Sequence, residues 1–128
     1  TLGILGAVVL SFGFGGRDQV LPSEAATFKS HLRFAQLRAM ASTDSVWSVA
    51  VQSDRYTLQR DGSPSAVDWP GEDASVRLFE DPVRVTSGTG AVAFDSWGSP
   101  GDTTVNITLG DGSNTQSVTI TAETGFIP

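Results

Sequence analysis

The chain of 128 residues has no cysteine and a single histidine. Without cysteine, no disulfide holds the fold and no thiolate binds a metal. One histidine leaves a zinc site short of nitrogen and sulfur ligands. No G-x-S-x-G elbow accompanies His31, so a serine nucleophile with its base is not legible. His31 lies mid-helix between Ser30 and Leu32 and reads as a solvated or helix-packing side chain. Cations are also scarce. The eight are Arg17, Lys29, Arg33, Arg38, Arg55, Arg60, Arg77 and Arg84, against fourteen Asp and Glu, for a net charge of −6. None follows Arg84, while Asp95, Asp102, Asp111 and Glu123 do. Nucleic-acid binding needs cations to displace phosphate counterions, so no nucleic acid is expected as a partner. No apolar run reaches the roughly 20 residues of a spanning helix.

The carboxylates that stand out, Asp54, Asp61, Asp102 and Asp111, fall in turns, where they cap backbone N–H groups. Asp111-Gly112-Ser113-Asn114 offers oxygens, but the EF-hand spacing is absent and calcium takes six to eight ligands. No carboxylate pair is singled out for glycoside chemistry. Gly88-Thr89-Gly90 lacks the lysine of a phosphate loop and reads as a turn. Asn106-Ile107-Thr108 is a formal glycosylation sequon placed mid-strand. No catalytic residue, cofactor or metal is therefore expected. Of the three tryptophans, Trp47 alternates with Val49 and reads as core. Trp69 and Trp97 lie in loops, where they read as covers of a sheet edge.

What is present is an order of segments. Residues 2–14 are apolar or small throughout, and Leu2, Ile4, Leu5, Val8, Val9 and Leu10 would be greasy on every side of a helix. The stretch reads as the trailing part of a longer apolar helix, although Ala7-Val8-Val9-Leu10 also suits a buried strand. Gly13, Gly15, Gly16 and Pro22 then predict a hinge over residues 11–22, since each glycine costs a helix about 1 kcal/mol against alanine.

Ser23 reads as the cap of a helix over 23–42, with Glu24 in its first turn. Phe28, Leu32, Ala35 and Ala39 recur at i, i+4, i+7 and i+11, one helical face for packing on a sheet. Phe34, Leu37 and Met40 widen that apolar side, and Lys29, Arg33, Gln36 and Arg38 form the wet side.

Residues 43–128 have period two. Trp47, Val49 and Val51 share a face, Tyr56 and Leu58 return, and Asp61-Gly62 suits positive φ at the end of that hairpin. A loop fills 63–74. Val76 and Leu78, Val83 and Val85, and Val92 and Phe94 follow as strands. Val105, Ile107 and Leu109, then Val118 and Ile120, alternate with threonine and asparagine. Apolar in and polar out marks antiparallel sheet with one face on a core. The class is α+β, an N-terminal helix packed on an antiparallel β head.

Three strings carry a family resemblance. LGILGAVVLSF at 2–12 is similar to the second half of the N-terminal helix of type IV pilins and type II secretion pseudopilins. HLRFAQLRAMASTDSVWSVAV at 31–51 resembles the helix-to-strand passage of the GspH/FimT group of minor pilins. AVAFDSWGSP at 91–100 followed by VTITAETGFI at 118–127 resembles that group's close. The resemblance implies a pilin-like fold and a structural subunit of a pilus or pseudopilus. A leading segment, 1–22, would be filament-core helix and hinge, and 23–128 one pilin-like domain. Its partners would be other pilin or pseudopilin subunits and, through Leu2, Ile4, Leu5, Val8, Val9 and Leu10, the bacterial inner membrane. The head would lie in the periplasm or on an extracellular fibre. The family's processing site and glutamate would precede Thr1. DNA-binding members of the group carry a basic C-terminal motif, whereas this end reads Thr124-Gly125-Phe126-Ile127-Pro128. A binding head, adhesin or DNA receptor, is the alternative on the same scaffold.

Overall fold

A computed structural model of the protein describes residues 16–128, with side chains from Val20 onward. Leu2, Ile4, Leu5, Val8, Val9 and Leu10 lie outside the described residues, as do Gly13 and Gly15.

Helix α1 spans Gly16–Met40, 25 residues, with Pro22 inside it. This corrects the expected start at Ser23 and the hinge through Pro22. Residues 16–22 are helical, and Ser23 is an exposed interior position rather than a cap. The reason is packing. Leu21 and Ala25 are buried on either side of the proline, and that burial offsets a local penalty of about 3 kcal/mol. Pro22 itself is exposed. The helix ends at Met40 beside the Ser42, Thr43 and Asp44 cluster, close to the expected stop.

Eight strands follow: β1 Trp47–Val51, β2 Arg55–Arg60, β3 Ser63–Pro64, β4 Val76–Leu78, β5 Arg84–Ser87, β6 Gly90–Phe94, β7 Val105–Gly110 and β8 Thr115–Ile120. All pair antiparallel. The β2–β3 turn is Asp61-Gly62, with φ of 54° and 83°, the left-handed pair that a two-residue hairpin needs. Short β3 occupies the start of the expected loop.

The strands divide into two sheets. In the first, β2 is flanked by β1 and, on its other side, by β3 and β4; β6 joins the far edge of β1. Trp47 stands opposite Phe94, and Val49 stands between Leu58 and Val92. The second sheet is β5–β7–β8, with Ile107 opposite Val118 and Val85 opposite Leu109. Helix α1 packs against β1 and β6 of one sheet and β7 and β8 of the other, so it bridges both. Phe28, Leu32, Ala35 and Ala39 are buried in one cluster with Val49, Leu58, Ile107, Leu109, Val118 and Ile120.

Candidate functional site

Two regions of the helix carry side-chain arrangements beyond simple packing. The first is polar and buried. Glu24 and His31 lie seven residues apart, on the same face as Phe28 and Ala35, and both are buried. Glu24 accepts two hydrogen bonds from the Arg77 guanidinium of β4, at 3.0 and 2.9 Å, and one from the Glu80 backbone N–H at 2.8 Å. Burial alone would raise the Glu24 carboxyl. The Arg77 pair and the Glu80 N–H outweigh it and hold the group below its ordinary value. The same pairing with Glu24 raises Arg77 above its ordinary value. Glu72 adds a looser contact to Arg77 at 3.5 Å.

His31 sits beside this pair. Its Nδ1 is 2.7 Å from the Tyr56 hydroxyl and its Nε2 is 3.0 Å from the Pro70 carbonyl. Trp69 stacks on the imidazole with ring centres 5.0 Å apart and planes 14° from parallel. Phe28 and Phe79 meet edge to face, and Tyr56 lies tilted against both to close the cluster. Burial pushes the His31 imidazole below its ordinary value and the Tyr56 hydroxyl above its own. His31 is thus a buried, doubly bonded side chain, not a solvated one, and Trp69 is a core residue rather than an edge cover.

The second region lies at the C-terminal end of α1. Gln36, expected on the wet side, donates from its one Nε2 to the Gly98 carbonyl at 2.9 Å and to the Gly125 carbonyl at 2.6 Å. Arg33 donates to the Ile127 carbonyl at 2.7 Å. These bonds draw the 95–101 loop and the C-terminal segment onto the helix. The approach is so close that a Cβ on Gly125, whose φ is 71°, would meet the Gly98 carbonyl oxygen at 2.1 Å.

The residues next to these anchors point outward. Trp97 is 82% exposed and Phe126 63%, and on the neighbouring helix turn Leu37 is 63% and Met40 53% exposed. Leu37 and Met40 therefore do not widen the buried face. Leu37 is five residues beyond Leu32, about 140° around the helix, which turns it away from the sheets. The 95–101 loop also lines a shallow cleft with Val46, Ala93 and Phe94. Three chain segments thus place large apolar side chains on one end of the head.

Of the four turn carboxylates singled out, only Asp111 caps its own loop; Asp61 accepts from the Val46 N–H across the hairpin, Asp54 pairs with the Arg55 side chain and Asp102 accepts from the Thr103 hydroxyl. Asp111 accepts from the Ser113 and Asn114 N–H groups, the latter bond being the main cause of its lowered pKa, and Asp95 accepts from those of Trp97 and Ser99. Among the described residues no group of three or more histidine or carboxylate side chains could hold a metal, and no helix is long and apolar enough to cross a membrane.

A long helix lying across antiparallel sheets defines this as a pilin-like α+β fold. Among solved structures, the chain is similar to the type IV minor pilin FimU of Pseudomonas aeruginosa strain PAO1. The match has a TM-score of 0.59 and 13% identity and covers 84% of this chain and 90% of that one. At that identity the likeness is one of fold. No protein-family model and no curated protein matches the sequence.

Proposed function

We propose that the chain is a non-enzymatic structural subunit, a minor pilin or pseudopilin of the GspH/FimT kind. It assembles with other pilin-like subunits into a type IV pilus or a type II secretion pseudopilus. The observation that carries this reading is the fold shared with a minor pilin over most of both chains. The apolar stretch holding Leu2, Ile4, Leu5, Val8, Val9 and Leu10 anchors the subunit in the inner membrane before assembly and then enters the fibre core. Phe28, Leu32, Ala35 and Ala39 fix the helix to the head. The cluster of Leu37, Met40, Trp97 and Phe126 is the head's contact with a neighbouring subunit, because apolar groups concentrated at one end of a soluble head mark an interaction site.

Nucleic acid is not a partner in this reading. Arg55 and Arg84 pair with Asp54 and Asp81, Arg77 with Glu24, and Arg38 and Arg60 lie over the Trp47 ring. A photo-crosslinking amino acid at position 97 of the full chain, expressed in cells that build the fibre, tests the reading. A covalent adduct with a second pilin-like subunit is expected. A folded, membrane-fractionating chain that gives no such adduct would overturn it.

A further inference from the structure

β6 lies at the edge of the first sheet and pairs on one side only, with β1. Register settles which of its backbone groups that pairing uses. The Asp61 N–H donates to the Val46 carbonyl and the Gln52 N–H to the Arg55 carbonyl, both at 2.8 Å. Bonded pairs alternate along an antiparallel ladder, so the even-numbered residues of β1 turn their N–H and C=O groups to β2. Trp47, Val49 and Val51 therefore bond to β6, through Phe94, Val92 and Gly90. Ala91 and Ala93 turn the other way. Their N–H and C=O groups face off the sheet, and among the described residues no hydrogen bond reaches them. Asp95 has the same parity, but its N–H is taken by the Ser99 carbonyl at 3.0 Å. The 95–101 loop thus closes the open edge at that end.

Edge strands are commonly guarded by charge, proline, a bulge or short length. Here β3 has two residues and ends in Pro64, β4 has three, and β5 carries Arg84 and a register shift between Val85 and Ser87. The outward positions of β8 are Thr115, Ser117 and Thr119. β6 reads Gly90-Ala91-Val92-Ala93-Phe94, with no charge, proline or register shift, and both alanines are exposed. A Cβ placed on Gly90 would meet nothing within 4 Å, so the start of the strand is open. Beside its other end lies the cleft, of about 270 Å³, where Val46, Ala93, Phe94 and Pro100 form an apolar lining.

These features select their occupant. Only extended main chain offers donors and acceptors at the repeat of about 7 Å that separates Ala91 from Ala93. The cleft suits an apolar side chain, since the one carboxylate in its wall, Asp95, is already bonded to the Trp97 and Ser99 N–H groups. β6 also runs directly into the loop that bears Trp97, so the open edge is continuous with the apolar end of the head.

We propose that β6 is a docking edge, where an extended apolar segment of the neighbouring subunit adds as a further strand, bonded to Ala91 and Ala93 with one side chain in the cleft. This docking mode rests on the structural-subunit reading and says how the neighbour is held.

Amide exchange tests it, with the subunit captured at position 97 as the probe. Added to the full chain in micelles, that subunit should raise protection of the Ala91 and Ala93 amides by about tenfold or more. The Val92 amide, already bonded within the sheet, should not change. Ala93→Pro removes an N–H that the head does not use, so it should melt as the parent does while the position-97 adduct falls by about tenfold. Unchanged Ala91 and Ala93 amides in a complex that still gives the adduct overturn the docking edge and leave the subunit reading standing. Equal protection of all three amides also overturns it, because that marks a stiffer head rather than an added strand. If Ala93→Pro does not fold, exchange in the parent decides. No adduct at position 97 in the parent removes the subunit reading, and the docking edge with it.

Discussion

At the scale of single residues, the helix buries two ionisable groups on a face that is otherwise apolar. Glu24 and Arg77 satisfy each other with two hydrogen bonds, and the Glu80 N–H fills a remaining acceptor site. A buried pair of this kind adds little to stability when intact, but removing one partner strands the other charge. Glu24→Gln should therefore cost about 3–5 kcal/mol in urea unfolding. The pH dependence follows from the directions of the shifts. Glu24 titrates lower in the folded state than in the unfolded chain. Its contribution is complete above the unfolded value of about 4.3 and is lost as pH falls through the folded one. His31 is also depressed when folded, so the unfolded chain takes up its proton first. Stability then begins to fall below about pH 6.5, well above the carboxylate window. A stability profile should show two acid steps in the parent. His31→Gln should lose the upper one and Glu24→Gln the lower; a single step near the carboxylate range would contradict the assignment. Both residues share the spacing of Phe28 and Ala35, yet their polar types read as a first-turn anion and a solvated or helix-packing histidine, so their burial is not legible in the sequence. Nor are their partners, because Arg77, Tyr56 and Pro70 lie 25 to 53 positions further along the chain.

At the scale of elements, period and spacing reveal what is local. Alternation through Val105, Ile107 and Leu109 and again through Val118 and Ile120 marks two strands that pair with each other. Asp61-Gly62 locates a hairpin. Two features escape such reading. The helix begins by Gly16 because the burial of Leu21 and Ala25 outweighs local penalties at glycine and proline. The strands form two sheets because Gly88-Thr89 does not close a hairpin. β5 and β6 on either side of it join different sheets, and Gly88, with φ of 90°, passes so near β7 that a Cβ would meet the Asn106 carbonyl oxygen at 2.3 Å. No local pattern encodes that close approach.

The helix face itself gives a direct comparison. Leu32 is fully buried between the sheets, whereas Leu37, about 1.4 turns on, is mostly exposed. Leu32→Ala should lower unfolding stability by about 2–5 kcal/mol. Leu37→Ala should stay within about 0.5 kcal/mol of the parent. Equal melting of both variants would mean that the helix meets the sheets with a different face.

At the scale of the whole molecule, the head is asymmetric along its helix. Over 25 residues α1 extends about 37 Å. Toward one end lies the Glu24 and His31 network, closed over by Trp69 and Pro70. At the other, Gln36 and Arg33 draw two loops together and leave Trp97, Phe126, Leu37 and Met40 outward. None of these four stabilises the head by burial, so their substitution should separate assembly from folding. An exposed tryptophan buried at a subunit contact is the kind of residue that dominates such an interface, with losses of 2 kcal/mol or more on truncation to alanine. If the chain is the proposed subunit, Trp97→Ala should thus weaken binding to a neighbouring subunit by about thirtyfold or more, with the melting temperature unchanged. Leu37→Ala, at the margin of the cluster, should have a smaller effect. Gly125→Ala should behave in the opposite way to Trp97→Ala. It strains a left-handed residue and pushes against the Gly98 carbonyl, so it should lower stability and disturb the contact together. Isothermal titration of the partner subunit against each folded variant, beside its thermal melt, reads both quantities. If Trp97→Ala binds as the parent does, the apolar end of the head is not the subunit contact.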